Sequence, residues 1–130
     1  MRYLGELKAL SLKKDDYAIF GSSVLSIRGL RENNDIDLLV KARLWEKLAT
    51  NHRIDVLSSG SLVIHLPDHI EAFIDCPAFA EVETLINDAD VFDDGIRFVK
   101  LESLCKWKRF RNMEKDRSDL LLIEAFLGAR

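Results

Sequence analysis

The chain has only two cysteines, Cys76 and Cys105, among its 130 residues. They lack metal-ligand spacing and have no histidine motif beside them. The sequence therefore predicts two buried, reduced thiols and a cytoplasmic setting. His52, His65 and His69 show no ligand spacing either, which argues against a zinc site. No apolar run is long enough to cross a bilayer, and no apolar core follows Met1, so neither a membrane span nor a secretory signal is expected. A basic surplus is missing too: the net charge of −3 argues against a sequence-independent coat for nucleic acid. There is no internal repeat, low-complexity tract or linker. With 48% hydrophobic and 32% charged residues, the expectation is one α+β domain over 1–130, with a core of about 17–100 and C-terminal helices of about 101–127.

The most informative stretch is Tyr17–Val40, YAIFGSSVLSIRGLRENNDIDLLV. It reads as an apolar strand broken at Gly21-Ser22, a short helix, a polar loop and a second strand opening on Asp35-Ile36-Asp37. Side chains alternate along a strand, so Asp35 and Asp37 point the same way, about 7 Å apart. Ile36, Leu38 and Val40 are apolar. Two like charges on a half-buried strand repel, and burial deepens the repulsion. A hard divalent ion with oxygen ligands, Mg²⁺ first, relieves that cost. Upstream, Gly21 allows close backbone approach, while Ser22 or Ser23 can cap the helix that starts there. Strand–Gly–Ser–helix elbows suit phosphate, although the same pair also serves as an ordinary turn and cap.

The remaining elements follow from periodicity. Leu4, Leu7 and Leu10 predict a short helix over 3–12, and Leu44, Trp45 and Leu48 predict another of about ten residues. Strands are predicted at Arg53–Leu57, Leu62–Leu66, His69–Cys76 and Ile96–Val99. Ala78–Ile86 reads as helix and Asp88–Gly95 as an acidic loop. Leu101, Leu104, Cys105 and Lys108 form one helical stripe, and 118–127 is a second, strongly apolar helix. Lysines in a run such as KWKRFR ordinarily line a solvated face, and Trp107 and Phe110 at i,i+3 read as core contacts of that helix. The same run, with Trp107 beside its basic residues, leaves RNA as an accessory partner.

A pattern of acid, apolar, acid, apolar is cheap, and Asp88-Ala89-Asp90-Val91 matches it as well. That copy lies in the acidic loop, without strand character or an upstream Gly-Ser elbow, and reads as solvated. Asp35/Asp37 differs because Gly21-Ser22 precedes it by twelve residues. Catalysis needs a third carboxylate. Asp75 is the first choice, as the end of an apolar strand; Asp55 and Glu71 are the alternatives.

Taken together, Phe20-Gly21-Ser22, the twelve-residue gap and Asp35-Ile36-Asp37-Leu38 resemble the nucleotidyltransferase superfamily typified by DNA polymerase β. The nearest likeness is to its small stand-alone members, related to toxin–antitoxin and antibiotic-modifying enzymes. Asp75 in FIDCP resembles the third acid of that pattern. Leu104 four before Lys108, then Lys115-Asp116-Arg117-Ser118-Asp119, resemble the family's two closing helices. One departure is Met113, where related enzymes often carry Arg three before the aspartate.

The resemblance implies a mixed β-sheet flanked by helices, with two helices at the C-terminus. It implies transfer of a nucleoside monophosphate from an NTP, ATP foremost, to an acceptor hydroxyl, releasing pyrophosphate. Two Mg²⁺ ions (or Mn²⁺) held by Asp35, Asp37 and Asp75 would serve that chemistry, with Gly21 and Ser22 on the phosphates and Lys108 or Lys115 neutralising charge. The acceptor is open among a small molecule, a protein side chain and an RNA end, and a homodimer would supply a missing cleft wall. The alternative is a non-catalytic nucleotide-binding or regulatory module, antitoxin-like, on the same fold. The number of intact carboxylates discriminates between the two.

Overall fold

A computed structural model describes residues 1–128. Seven strands form one mixed sheet: β1 (Tyr17–Phe20), β2 (Ile36–Val40), β3 (Ile54–Val56), β4 (Leu62–Leu66), β5 (Ile70–Phe73), β6 (Asp90–Val91) and β7 (Arg97–Phe98). Their order across the sheet is β3-β4-β5-β2-β1-β7-β6. β1 runs antiparallel to β2, while β2–β5 and β1–β7 are the parallel pairs. The helices are α1 (Leu4–Ala9), α2 (Ser22–Ser26), α3 (Ala42–Asn51), α4 (Val82–Asn87), α5 (Leu101–Arg111) and α6 (Glu114–Gly128).

Strand parity sorts the core into two layers. Tyr17, Ile19, Leu38, Val40 and Ile64 face the side covered by Leu7 of α1 and by Leu44, Trp45 and Leu48 of α3. Ala18, Phe20 and Leu39 face the other side, against residues of α2, α4, α5 and α6. All four residues of β1 are buried, as a central strand with both faces covered requires. The result is an α+β fold with a mixed sheet flanked by helices and two C-terminal helices. Among the described residues no helix is long and apolar enough to cross a membrane.

Several expected boundaries shift. β5 ends at Phe73 rather than Cys76, and α4 begins at Val82 rather than Ala78. The Asp88–Val91 segment, expected to lack strand character, contributes the two-residue edge strand β6. There Asp90 pairs with Arg28 at 3.3 Å, so the second acid-apolar-acid copy is part of the scaffold. α6 starts at Glu114, four residues before the expected 118, because Met113 and the Asp116 carboxylate cap it: the Met113 N–H donates to Asp116 Oδ2 at 3.0 Å.

Candidate metal centre and cleft

The site begins at the junction of β1 and α2. Gly21 adopts φ 70° and ψ −149°, a conformation open essentially to glycine alone. The next two serines divide the work. Ser23 is fully buried, and its hydroxyl donates to the Asp35 carbonyl at 3.1 Å. Ser22 is left facing a cleft of about 680 Å³. Buried Asn33 holds the same loop: its Nδ2 donates to the carbonyls of Asp35 at 3.1 Å and Arg2 at 2.9 Å. Asp35 is thereby anchored through its backbone, which frees its carboxylate.

Asp37 follows on β2, with Phe20 as its register partner on one side and Glu71 as its partner on the other. Register partners in adjacent strands point to the same face. Asp35, Asp37 and Glu71 each offer a carboxylate oxygen, all within 4.8 Å of one another. Burial, then the charges of Asp35 and Glu71, push the Asp37 carboxyl up to about 7, against the pull of Arg111 and Lys115. Burial and Asp35 also raise Glu71, with His65 and His69 working the other way. Three carboxylate oxygens converging on one point are the donor set a hard divalent cation fits.

Asp75 is not part of this cluster. β5 stops before it, and Asp75 stands exposed on the cleft wall two residues past the strand end. The acid brought to the Asp35/Asp37 pair is Glu71, one of the two alternatives to Asp75. Asp55 sits two strands further out, ion-paired to Arg53 at 2.8 Å.

Opposite the acids, α5 and α6 bring a cationic wall. Asn112 closes α5 in the left-handed conformation that Asn tolerates, so α6 folds straight back. Lys108, which the sequence set on the stripe with Leu101, Leu104 and Cys105 and left between a phosphate contact and a solvated face, is 2% exposed. Its Nζ lies 2.8 Å from Asp119 and 3.3 Å from Asp116. Arg111 grips Asp116 through two nitrogens at 2.8 and 2.5 Å, and Arg31 grips Asp119 the same way at 2.6 and 2.9 Å. Such bidentate pairs are the strong kind. Burial opposes ionisation of Asp116, but the Arg111 and Met113 hydrogen bonds and the charges nearby hold its carboxyl at about 2. Three cations against two carboxylates leave this network one net positive charge. Arg111 supplies the guanidinium on Asp116, and Met113 contributes only its backbone N–H. Lys115 is exposed and also lines the cleft.

A third zone is apolar. Trp107 packs against Phe20 with centroids 6.3 Å apart, yet it also lines the cleft and stacks on Phe110 at 6.0 Å. Phe110 is 60% exposed, and Met113 and Leu57 complete the wall. Of the i,i+3 pair, then, only Trp107 is a core contact.

Gly21, Ser22, Asp35, Asp37, Asp75, Lys108 and Lys115 all line this one cleft. Glu71 stands beside it, and the sequence signal for it was its parity on the same strand as Asp75. No family model matches the chain, and neither the curated proteins nor the solved structures include a significant match to it.

Proposed function

We propose that the chain is a metal-dependent nucleotidyltransferase that moves a nucleoside monophosphate from an NTP to an acceptor hydroxyl. The observation that carries this reading is the register of β2 against β5, which sets Glu71 beside Asp37 and Asp35 at the edge of a cleft backed by Gly21. Fold architecture supports it, since a mixed sheet with this elbow and two closing helices is what the sequence resemblance implies.

Asp35, Asp37 and Glu71 would hold the cation, Mg²⁺ or Mn²⁺, which when bound would neutralise charge on the phosphate oxygens. A second ion, if two are used, would draw on Asp75. Gly21 leaves the backbone open for close approach of a phosphate, and Ser22 offers a free hydroxyl donor. Lys115 brings a solvent-exposed positive charge for the pyrophosphate, whereas Lys108 serves by keeping α5 and α6 in place. The exposed faces of Phe110 and Trp107 suit a stacked base. In the reaction the acceptor hydroxyl oxygen bonds to the α-phosphorus and releases its proton to solvent, the bond from the α-phosphorus to the α–β bridging oxygen breaks, and pyrophosphate leaves.

The test is transfer of label. Purified protein, Mg²⁺ and each α-labelled NTP are incubated with fractionated small molecules, RNA and protein as acceptors. Transfer of the α-label with release of pyrophosphate, lost in Asp35→Asn/Asp37→Asn, is the expected result. Transfer of a γ-label instead would make the enzyme a kinase and overturn the proposal. Nucleotide binding without any transfer would favour the non-catalytic module.

A further inference from the structure

Across the outer half of the sheet, charged and polar side chains form a row on the face that carries the metal cluster. β5 pairs with β4 so that Glu71 lies directly opposite His65. The connecting turn, Pro67–His69, holds Asp68 and His69 at positive φ, 60° and 62°, and closes the hairpin in that register. On the next strand, Asp55 is diagonal to His65, since its own register partner is Val63. The imidazole is therefore bracketed. Its Nδ1 lies 3.5 Å from Glu71 Oε2 and its Nε2 lies 3.6 Å from Asp55 Oδ2. Asp55 is in turn held by Arg53 at 2.8 Å. A solitary surface histidine would not have an acid against each ring nitrogen.

We propose that His65 is a positioning residue that aims Glu71 at the divalent cation, with Asp55 fixing the ring from behind. The inference rests on the reading of Asp35, Asp37 and Glu71 as metal ligands. Glutamate is a long side chain that loses considerable rotamer freedom when it ligates an ion. Asp37 lies against Gly21 and Asp35 sits on an anchored loop; the longer Glu71 calls for a restraint of its own. A ring on the neighbouring strand, about half an ångström beyond a normal hydrogen bond, supplies it. Outer-shell partners of this kind typically change metal affinity about 10- to 100-fold.

His65 is 53% exposed, so replacing it leaves the core untouched. The experiment is Mn²⁺ titration of the whole protein followed by electron paramagnetic resonance, for wild type, His65→Ala, His65→Gln, Asp55→Asn and Asp37→Asn, with thermal unfolding in EDTA alongside. We expect His65→Ala to bind Mn²⁺ about tenfold more weakly with an unchanged metal-free melting temperature. His65→Gln, which keeps a donor within reach of Glu71, should recover part of the loss, and Asp55→Asn should weaken binding less than His65→Ala. Unchanged affinity in His65→Ala, while Asp37→Asn loses the ion, would overturn the positioning role and leave the metal site standing. Loss in His65→Ala as complete as in Asp37→Asn, without rescue by His65→Gln, would make His65 a ligand itself and also overturn it. A wild type that binds no Mn²⁺ would end both the metal reading and this inference.

Discussion

A β-carbon on Gly21 would lie 2.8 Å from Oδ2 of Asp37. The elbow and the acidic strand are thus in contact; the twelve residues between Ser22 and Asp35, the rest of α2 and the loop after it, return the chain so that β2 pairs beside β1. Gly21→Ala meets two obstacles at once: a side chain at φ 70° and a carboxylate in the space it needs. We expect the substitution to cost about 1–3 kcal/mol in urea unfolding, the usual range for such backbone strain. It should also displace Asp37, so that Mn²⁺ binding weakens more than stability alone explains. Wild-type stability and metal affinity in Gly21→Ala would show that this contact is incidental.

Glu71→Gln and Asp75→Asn should separate cleanly. Glu71 completes the three-carboxylate cluster, whereas Asp75 stands outside it. Calorimetric titration with Mn²⁺ is expected to show at least a tenfold loss for Glu71→Gln and little change for Asp75→Asn in the absence of nucleotide. The opposite ranking would return the third-ligand role to Asp75.

The acids set a pH dependence whose sign follows from Asp37. Its folded value of about 7 lies above the ordinary 3.8. Between those values the native state binds a proton that the unfolded chain has released, so stability of the metal-free protein falls as pH rises through this window. Glu71, also raised, adds in the same direction. Asp16, Asp116 and Asp119 are depressed, and their contribution is lost only as pH falls through their folded values, well to the acid side. Urea midpoints in EDTA at about pH 5 and about pH 8 should therefore show the higher stability at the lower pH. Asp37→Asn should flatten most of the difference, and Mn²⁺ should restore stability at the higher pH. Stability that rises over this interval would contradict the assignment.

The two lysines assigned to phosphate should behave differently. Removing Lys108 with Lys108→Met leaves two buried carboxylates short of a partner, a loss of about 3–5 kcal/mol for pairs of this kind. The loss should appear in unfolding experiments without any ligand. Lys115→Ala, on an exposed side chain, should change stability by less than about 0.5 kcal/mol and show its effect only in nucleotide affinity.

Local chemistry made much of this legible in the sequence. The parity of Asp35 and Asp37, the break at Gly21 and the stripes of α3 and α5 are each written within a few residues. What the sequence left open depends on pairing between distant strands. Glu71 joins the cluster because β5 runs parallel to β2 in a register that no local pattern encodes. Asp75 looked like the strand end because Ile74 and Cys76 continue the apolar run after the hydrogen-bonded ladder has stopped. Lys108 lies on the inner stripe of α5 with Leu101, Leu104 and Cys105, yet a lysine in a basic run reads as solvated, and only the return of α6 supplies Asp116 and Asp119 as its buried partners. His65, with no ligand spacing along the chain, acquires its acidic neighbours from β3 and β5.

Calorimetric titration of the wild type and of Asp35→Asn/Asp37→Asn with a non-hydrolysable NTP analogue, with and without Mg²⁺, probes the proposed nucleotide site itself. We expect nucleotide binding that requires Mg²⁺ and disappears in the double variant while the protein stays folded. A folded wild type that binds none of the four nucleotides, or binds them equally in the double variant, would contradict the proposal.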